Sequence, residues 1–176
     1  MTALKRVEML LKDAQYNEYI NRNVSEGIEK FCQHDLRHHI DVARIAYILV
    51  LEHNDLNYFV KESKLSGKLA AKEVIYAAGL LHDIGKWKEY RSGVDHAALG
   101  ARLAREILPR AFFNPTEIEH ICQAIFEHRN INRDMSFLGE RLHRADNLSR
   151  VCSQCEYISK CPKVKNKELN MINLEY

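Results

Sequence analysis

Residues 79–86 read GLLHDIGK, in which a histidine and an aspartate stand side by side at the end of an apolar stretch. The glycine two residues after Asp83 predicts that the helix leading to this pair ends here. A charged carboxylate buried without a partner is strongly destabilising. An imidazole nitrogen beside a carboxylate oxygen is, in contrast, a typical ligand pair for a divalent cation. We therefore expect His82 and Asp83 to bind a metal ion together with ligands from elsewhere in the chain.

The composition is that of a soluble globular protein. The chain has 176 residues, of which 46% are hydrophobic and 28% charged, enough for one domain with a sizeable core. No apolar run approaches the ~20 residues of a transmembrane helix, and residues 1–8 mix charge into the first turns, unlike a signal peptide. The net charge of +2 gives no general attraction for nucleic acid. We expect a cytoplasmic protein that does not bind membranes.

Helical periodicity recurs along the chain, which contains only 7 glycines and 3 prolines to interrupt it. Apolar residues with three- and four-residue spacing predict helices over residues 7–14, 35–53, 69–81, 95–108, 114–127 and 137–150. Asp95 and Asn114 are the predicted N-caps of two of them, whereas residues 61–68 and 91–93 predict a loop and a turn. Alternating runs, repeats and linkers are absent from the sequence. We expect one all-α domain, a compact helical bundle, over residues 1–176.

Two further residues supply candidate ligands on these helices. His38 shares a helix face with the apolar residues that follow it by four, seven and eleven positions, and Asp146 follows Leu142 by four, so both should point inward. The candidate set is His38, His82, Asp83 and Asp146. Two imidazoles and two carboxylates suit Mn, Fe, Co, Ni or Zn better than Ca.

The order of these ligands resembles the HD-domain metal-dependent phosphohydrolase family. His38 stands four residues before the pair Val42-Ala43, and the doublet lies in the string LLHDIGK. The resemblance extends from about residue 34 to about residue 150, the expected HD core, and leaves residues 151–176 as a cysteine-containing tail. It implies an all-α fold of the HD-domain type, a divalent metal at the four ligands, and hydrolysis of phosphate esters, often of nucleotides. His39 is the alternative to His38, although the spacing to Val42-Ala43 favours His38.

A second metal ion is implied by the dinuclear members of this family. Their histidines between the doublet and the last aspartate correspond to His96 and His128 here, and the aspartate of the doublet, Asp83, would bridge the two ions. Some dinuclear members carry paired histidines where this chain has Glu127-His128. Whether one or two ions bind is therefore open at this point.

Three basic residues are candidates for binding the phosphate. The resemblance implies that Lys86, three residues after Asp83, contacts the substrate phosphate or stabilises charge in the transition state, so that Asp83 and Lys86 are the expected catalytic residues. The alternative for Lys86 is a solvated surface position. Arg129 and Arg150 are further candidates, but Arg150 follows Asp146 by four residues and could equally form a salt bridge with it.

The C-terminal tail contains a cluster of cysteines. Cys152, Cys155 and Cys161 have a spacing that suits a zinc ion or an iron–sulfur cluster, and reduced thiols are the alternative. A fourth ligand would have to come from Cys32, Cys122 or His143. The remaining histidines lack a comparable sequence context, so we expect surface or capping positions for His34, His53, His120 and His143.

The most direct functional interpretation is a phosphomonoesterase or phosphodiesterase that acts on a nucleotide or another small phosphate ester. One alternative is a redox- or metal-responsive module that binds a nucleotide without turning it over. Another is a di-iron oxygenase of the same superfamily. The sequence leaves the substrate, the native metal and the oligomeric state open, and a homodimer is compatible with it.

Overall fold

The fold is a bundle of α-helices, as predicted. The computed structural model describes residues 3–27, 34–129, 131–150, 152 and 158–160. Within these residues there are no strands, and short 3₁₀ turns lie at Leu108–Ala111 and Ile158–Lys160. The helices are α1 (Lys5–Lys12), α2 (Ala14–Glu26), α3 (Leu36–Glu52), α4 (Leu56–Glu62), α5 (Lys68–Leu81), α6 (Lys86–Ser92), α7 (His96–Ile107), α8 (Pro115–Glu127) and α9 (Phe137–Leu148).

The long helices α3, α5, α7, α8 and α9 begin within about one residue of the predicted starts, and a polar side chain caps each of them except α5, which follows Gly67. The Asp95 carboxylate accepts the Ala98 N–H at 2.9 Å at the start of α7. At the start of α8, the Asn114 side chain accepts the Glu117 N–H while the Glu117 side chain accepts the Asn114 N–H. Each cap satisfies N–H groups that have no partner inside the helix, and both predicted N-caps are confirmed.

Short elements differ from the sequence interpretation. The stripe over residues 7–14 is interrupted at Asp13, whose carboxylate caps α2 by accepting the N–H groups of Gln15 and Tyr16. Helix α2 beyond Ala14 was not predicted. Helices α4 and α6 were not predicted either, and the predicted turn at residues 91–93 is the last turn of α6 with its left-handed cap at Gly93. Both helices have seven residues, which is under two helical turns and too short for a clear apolar period.

Helix α5 lies at the centre of the bundle, packed against α3 on one side and α8 on another, while α9 closes the remaining side of α3 and α8. The contact between α3 and α5 is very close. A Cβ atom at Gly79 would lie 2.4 Å from Cα of Ala43, so the two backbones can approach only because Gly79 has no side chain. This approach brings the start of α3 to the end of α5, where the HD doublet lies.

The N-terminal helices are held against this bundle by salt bridges and by packing. The Arg6 guanidinium lies 2.7 Å from the Glu73 carboxylate on α5 and 2.6 Å from the Glu117 carboxylate on α8, and both carboxylates are buried. Helix α2 packs against α6, where Tyr19 stacks on Trp87. None of the described helices is long and apolar enough to cross a membrane.

Candidate metal centre

The candidate ligands lie at the ends of five helices that converge on one point. His38 lies in the first turn of α3 and Asp146 in the last turn of α9, while His96 begins α7 and His128 directly follows α8. The doublet follows α5 and occupies the turn before α6. The ends of helices carry backbone groups without helical partners, so polar side chains are compatible with this place in the bundle.

His38, His82, Asp83 and Asp146 form a first ligand group, in which the four ligand atoms all lie within 4.8 Å of one another. The Nε2 atoms of His38 and His82 are 3.2 Å apart, Nε2 of His38 lies 3.4 Å from Oδ1 of Asp146, and Nε2 of His82 lies 3.3 Å from Oδ2 of Asp83. Adjacent ligands of an ion with bonds near 2.1 Å are roughly 3 Å apart. The spacing therefore fits one transition-metal ion.

Asp83, His96 and His128 form a second ligand group, and all three are buried. Oδ1 of Asp83 lies 3.1 Å from Nε2 of His96 and 3.5 Å from Nε2 of His128. The other carboxylate oxygen, Oδ2, faces the first group. The two oxygens of Asp83 thus point to different ligand groups, which is the arrangement of a bridging carboxylate.

The outer nitrogens of three histidines are held by acceptors. Nδ1 of His82 lies 2.7 Å from the Gly79 carbonyl, Nδ1 of His128 lies 2.6 Å from the Ile125 carbonyl, and Nδ1 of His96 lies 2.7 Å from a Glu89 carboxylate oxygen. A carbonyl only accepts, so Nδ1 of His82 and Nδ1 of His128 carry protons, whereas Nδ1 of His96 lies near both the Glu89 carboxylate and the Lys86 ammonium. The Nε2 lone pairs of His82 and His128 are then directed at the ligand groups, as in metal-binding histidines.

The chemistry of the donor set fits a cation. Oδ1 of Asp83 is buried and accepts no hydrogen bond in the described part of the chain. Burial disfavours the charged form of His82, but the carboxylates of Asp83 and Asp146 outweigh it and raise the pKa of His82 to about 10. The buried carboxylates therefore draw positive charge to this point, and a divalent ion held by neutral imidazoles would supply it.

Asn23 on α2 fixes the turn that carries Asp83. Its amide donates to the Asp83 carbonyl at 2.8 Å, and its side-chain oxygen accepts the Trp87 N–H at 2.7 Å. Asn23 is fully buried, so these bonds have no competition from water. Sequence reasoning missed Asn23, because nothing in its helical context marks a partner sixty residues away.

The expectation that His34 lies at the surface is wrong. His34 is buried, with Nε2 3.3 Å from Oδ2 of Asp83 and Nδ1 2.5 Å from the Tyr90 hydroxyl. Burial lowers the pKa of His34 to about 3, so the ring is neutral. The signal available in the sequence was its position four residues before His38. His143 is half-buried and its Nδ1 lies 2.6 Å from the His128 carbonyl, so it also borders the site.

The choice between His38 and His39 is clear from the geometry. His39 is fully buried, and its Nδ1 lies 2.7 Å from the Leu80 carbonyl. It belongs to neither ligand group, whereas Nε2 of His38 reaches both His82 and Asp146. His38 is therefore the residue that the fold brings to the others.

The candidate phosphate-binding residues have different surroundings. The Lys86 ammonium lies 2.6 Å from the Glu89 carboxylate and 3.3 Å from Nδ1 of His96. The Arg129 guanidinium also reaches Glu89, at 3.1 Å. Arg150 makes two bonds, of 2.8 and 2.7 Å, to the Asp146 carboxylate. The salt-bridge alternative thus holds for Arg150, while Lys86 and Arg129 border the second ligand group.

The cysteine cluster can be followed only in part. Cys155 and Cys161, together with Cys32, lie outside the described residues, and Cys152 is half-buried. Cys122 lies in the core of the bundle, where burial raises the pKa of its thiol to about 11. Zinc or iron–sulfur binding at this cluster stays a prediction.

A family model described as "HD domain" matches residues 35–151. The chain belongs to the HD domain family. An uncharacterized protein of Clostridium beijerinckii is 36% identical over 159 residues, which cover 90% of this chain and 92% of the relative. The family match begins one residue before α3, so the helices α1 and α2 lie outside it.

Two relatives of the HD domain have descriptive names. The bifunctional uridylyltransferase/uridylyl-removing enzyme of Bradyrhizobium diazoefficiens is 30% identical over 62% of this chain, and ribonuclease Y of Lactobacillus gasseri is 29% identical over 61% of it. The matched regions are 13% and 19% of those proteins, so the chain spans a small part of each. No solved structure matches this chain.

Proposed function

We propose that this HD domain is a metal-dependent phosphoric ester hydrolase. His38, His82, Asp83 and Asp146 would hold one divalent ion, and Asp83, His96 and His128 a second. The observation that carries the proposal is the placement of the two Asp83 oxygens, one in each ligand group. The ligand types favour Mn, Fe, Co, Ni or Zn.

Each residue of the site would have a distinct role. Ions bound in such a pair lower the pKa of a coordinated water and polarise a phosphoryl oxygen. Asp83 would fix the separation of the two ligand groups, and Arg150 would keep the Asp146 carboxylate turned toward the first. Lys86 and Arg129, at the edge of the second group, would neutralise the charge of a phosphate that enters there.

A small phosphorylated molecule, and specifically a nucleotide, is the proposed substrate. Two relatives are named for uridylyl removal and for ribonuclease activity, which supports a substrate that contains a nucleotide. The cytoplasmic location and the homodimer stay predictions, as does the division of the chain into an HD core and a tail.

The test combines metal analysis with a substrate panel. The purified protein is supplied with Mn, Co or Ni and assayed with nucleotides and generic phosphate esters. We expect release of phosphate or of a nucleotide fragment by the wild type. The Asp83→Ala variant should lose both metal content and turnover, because Asp83 serves both ligand groups.

Asp41→Ala is the matched control, since it removes a carboxylate from the outer face of α3 and should change neither quantity. Normal turnover by Asp83→Ala would refute the proposal. Nucleotide binding without turnover under any of the metals would favour a binding module. An absorption band of a mixed-valence di-iron centre in iron-loaded, oxygen-exposed protein would favour an oxygenase.

A further inference from the structure

Glu89 on α6 is the acidic residue at the edge of the second ligand group, and sequence reasoning did not single it out. Its Oε2 lies 2.7 Å from Nδ1 of His96 and 2.6 Å from the Lys86 ammonium, while its Oε1 lies 3.1 Å from the Arg129 guanidinium. One carboxylate thus contacts a candidate metal ligand and both candidate phosphate-binding cations. It is half-buried, so these contacts are partly shielded from water.

The contact with His96 sets the direction of the imidazole. A carboxylate 2.7 Å from Nδ1 favours the tautomer that carries the proton on Nδ1 and leaves the Nε2 lone pair facing Asp83 and His128. A carboxylate on the outer nitrogen also raises the basicity of a metal-binding imidazole. Loss of such an outer partner typically weakens metal affinity about 10- to 100-fold.

The contacts with Lys86 and Arg129 set the local charge. The Lys86 ammonium is only 3.3 Å from Nδ1 of His96, and a positive charge so close to a ligand opposes the binding of a cation. Glu89 compensates this charge at short distance.

We infer that Glu89 is a positioning residue that makes the second metal site usable: it orients His96 and neutralises the Lys86 ammonium, while Arg129 pairs with both Asp95 and Glu89. This inference rests on the proposed function, since it presumes an ion at Asp83, His96 and His128. It goes beyond that function by explaining how a cation site and an anion-binding pair can lie side by side. Without Glu89, Lys86 would repel the ion that the same region has to bind.

The test is a titration of metal-free protein with Co²⁺, followed by the visible absorption of the bound ion, and it requires no substrate. We expect two ions per chain in the wild type. The Glu89→Gln variant should bind the first ion with unchanged affinity and the second about 10- to 100-fold more weakly. Glu119→Gln is the matched control, because its carboxylate pairs with Arg105 on the surface, and it should titrate as the wild type.

A second variant separates this role from a folding defect. In the double variant Glu89→Gln/Lys86→Met the uncompensated ammonium is absent, so the affinity for the second ion should recover in part. A loss caused by misfolding would not recover in this way. The inference is overturned if Glu89→Gln binds both ions as the wild type does, or if the double variant recovers nothing.

The outcomes also separate this inference from the hydrolase proposal. A wild type that binds two Co²⁺ ions and loses the second in Glu89→Gln supports the role of Glu89, even if no phosphate ester is turned over. A wild type that binds only one Co²⁺ ion overturns the role of Glu89 and the second ion together, while hydrolysis at the first site would stay testable by turnover.

Discussion

The two ligand groups share Asp83 but differ in composition and in surroundings. The first has two carboxylates and two imidazoles, and Arg150 fixes its outer carboxylate. The second has two imidazoles and only the shared carboxylate, and it borders Lys86 and Arg129. Two negative ligands favour tight binding of a cation, whereas nearby cations favour an anion. In the proposed two-ion state, the additional carboxylate of the first group predicts that the first ion is held more strongly than the second.

Removing one histidine from each group should give unequal losses, and this is the largest effect we expect. His38→Ala should lower the affinity of the first group for its ion, and the turnover, by more than ~100-fold, since even the loss of an outer partner of a ligand lowers metal affinity about 10- to 100-fold. His128→Ala should empty only the second site and leave one ion bound. Metal analysis of both dialysed variants, with His53→Ala as an exposed control, measures the difference.

Equal losses of metal in His38→Ala and His128→Ala would contradict the inequality of the two groups. Loss of the ion in His53→Ala would mean that the assay reports general damage, because His53 is exposed and lies away from both groups.

Arg150→Gln should weaken metal binding by the first group alone. The guanidinium holds both oxygens of Asp146, and without it the carboxylate can turn away from the first ion. We expect an affinity for the first ion about 10- to 100-fold lower, with the second little changed. Co²⁺ titration measures both, and Arg144→Gln is the control on the same helix. A loss confined to the second ion would be the opposite of this expectation.

Asn23→Ala should destabilise the turn that carries Asp83, the residue that both groups share. Asn23 bonds to the Asp83 carbonyl and the Trp87 N–H, and a buried group left without its partner costs about 1–3 kcal/mol. Denaturant unfolding of the metal-free protein should show this loss. Asn21→Ala, at an exposed position of α2, should not, and an equal effect of the two substitutions would show that the turn does not depend on Asn23.

The sequence predicts the helices whose buried face is a long apolar stripe, and α2 was missed despite its Asp13 cap because its buried face consists of Tyr16, Tyr19, Ile20 and Asn23. Helices α3, α5, α7, α8 and α9 were predicted from such stripes, and periodicity placed His38 and Asp146 on inward faces, whereas His96 and His128 were implied only by the family resemblance. Helices α4 and α6 are too short to show a period. In each case the deciding signal is local, within about one helix of the residue concerned.

The supporting residues could not be predicted, because their role arises from tertiary contacts. Asn23 and Glu89 lie on α2 and α6, and only the packing of those helices brings them to the turn and to His96. His34 precedes a helix and looks like a surface residue until the fold covers it. A local pattern names the ligands of a site, but the residues that orient those ligands become visible only in three dimensions.

The shared carboxylate of Asp83 has a consequence for how metal supply would act on the protein. In the proposed two-ion state, each ion changes the position and the charge of the oxygen that the other ion needs. If binding of the first ion changes the affinity for the second by some factor, binding of the second ion changes the affinity for the first by the same factor. The occupancies of the two sites are then coupled through the Asp83 side chain, so a shortage of metal would affect both sites together.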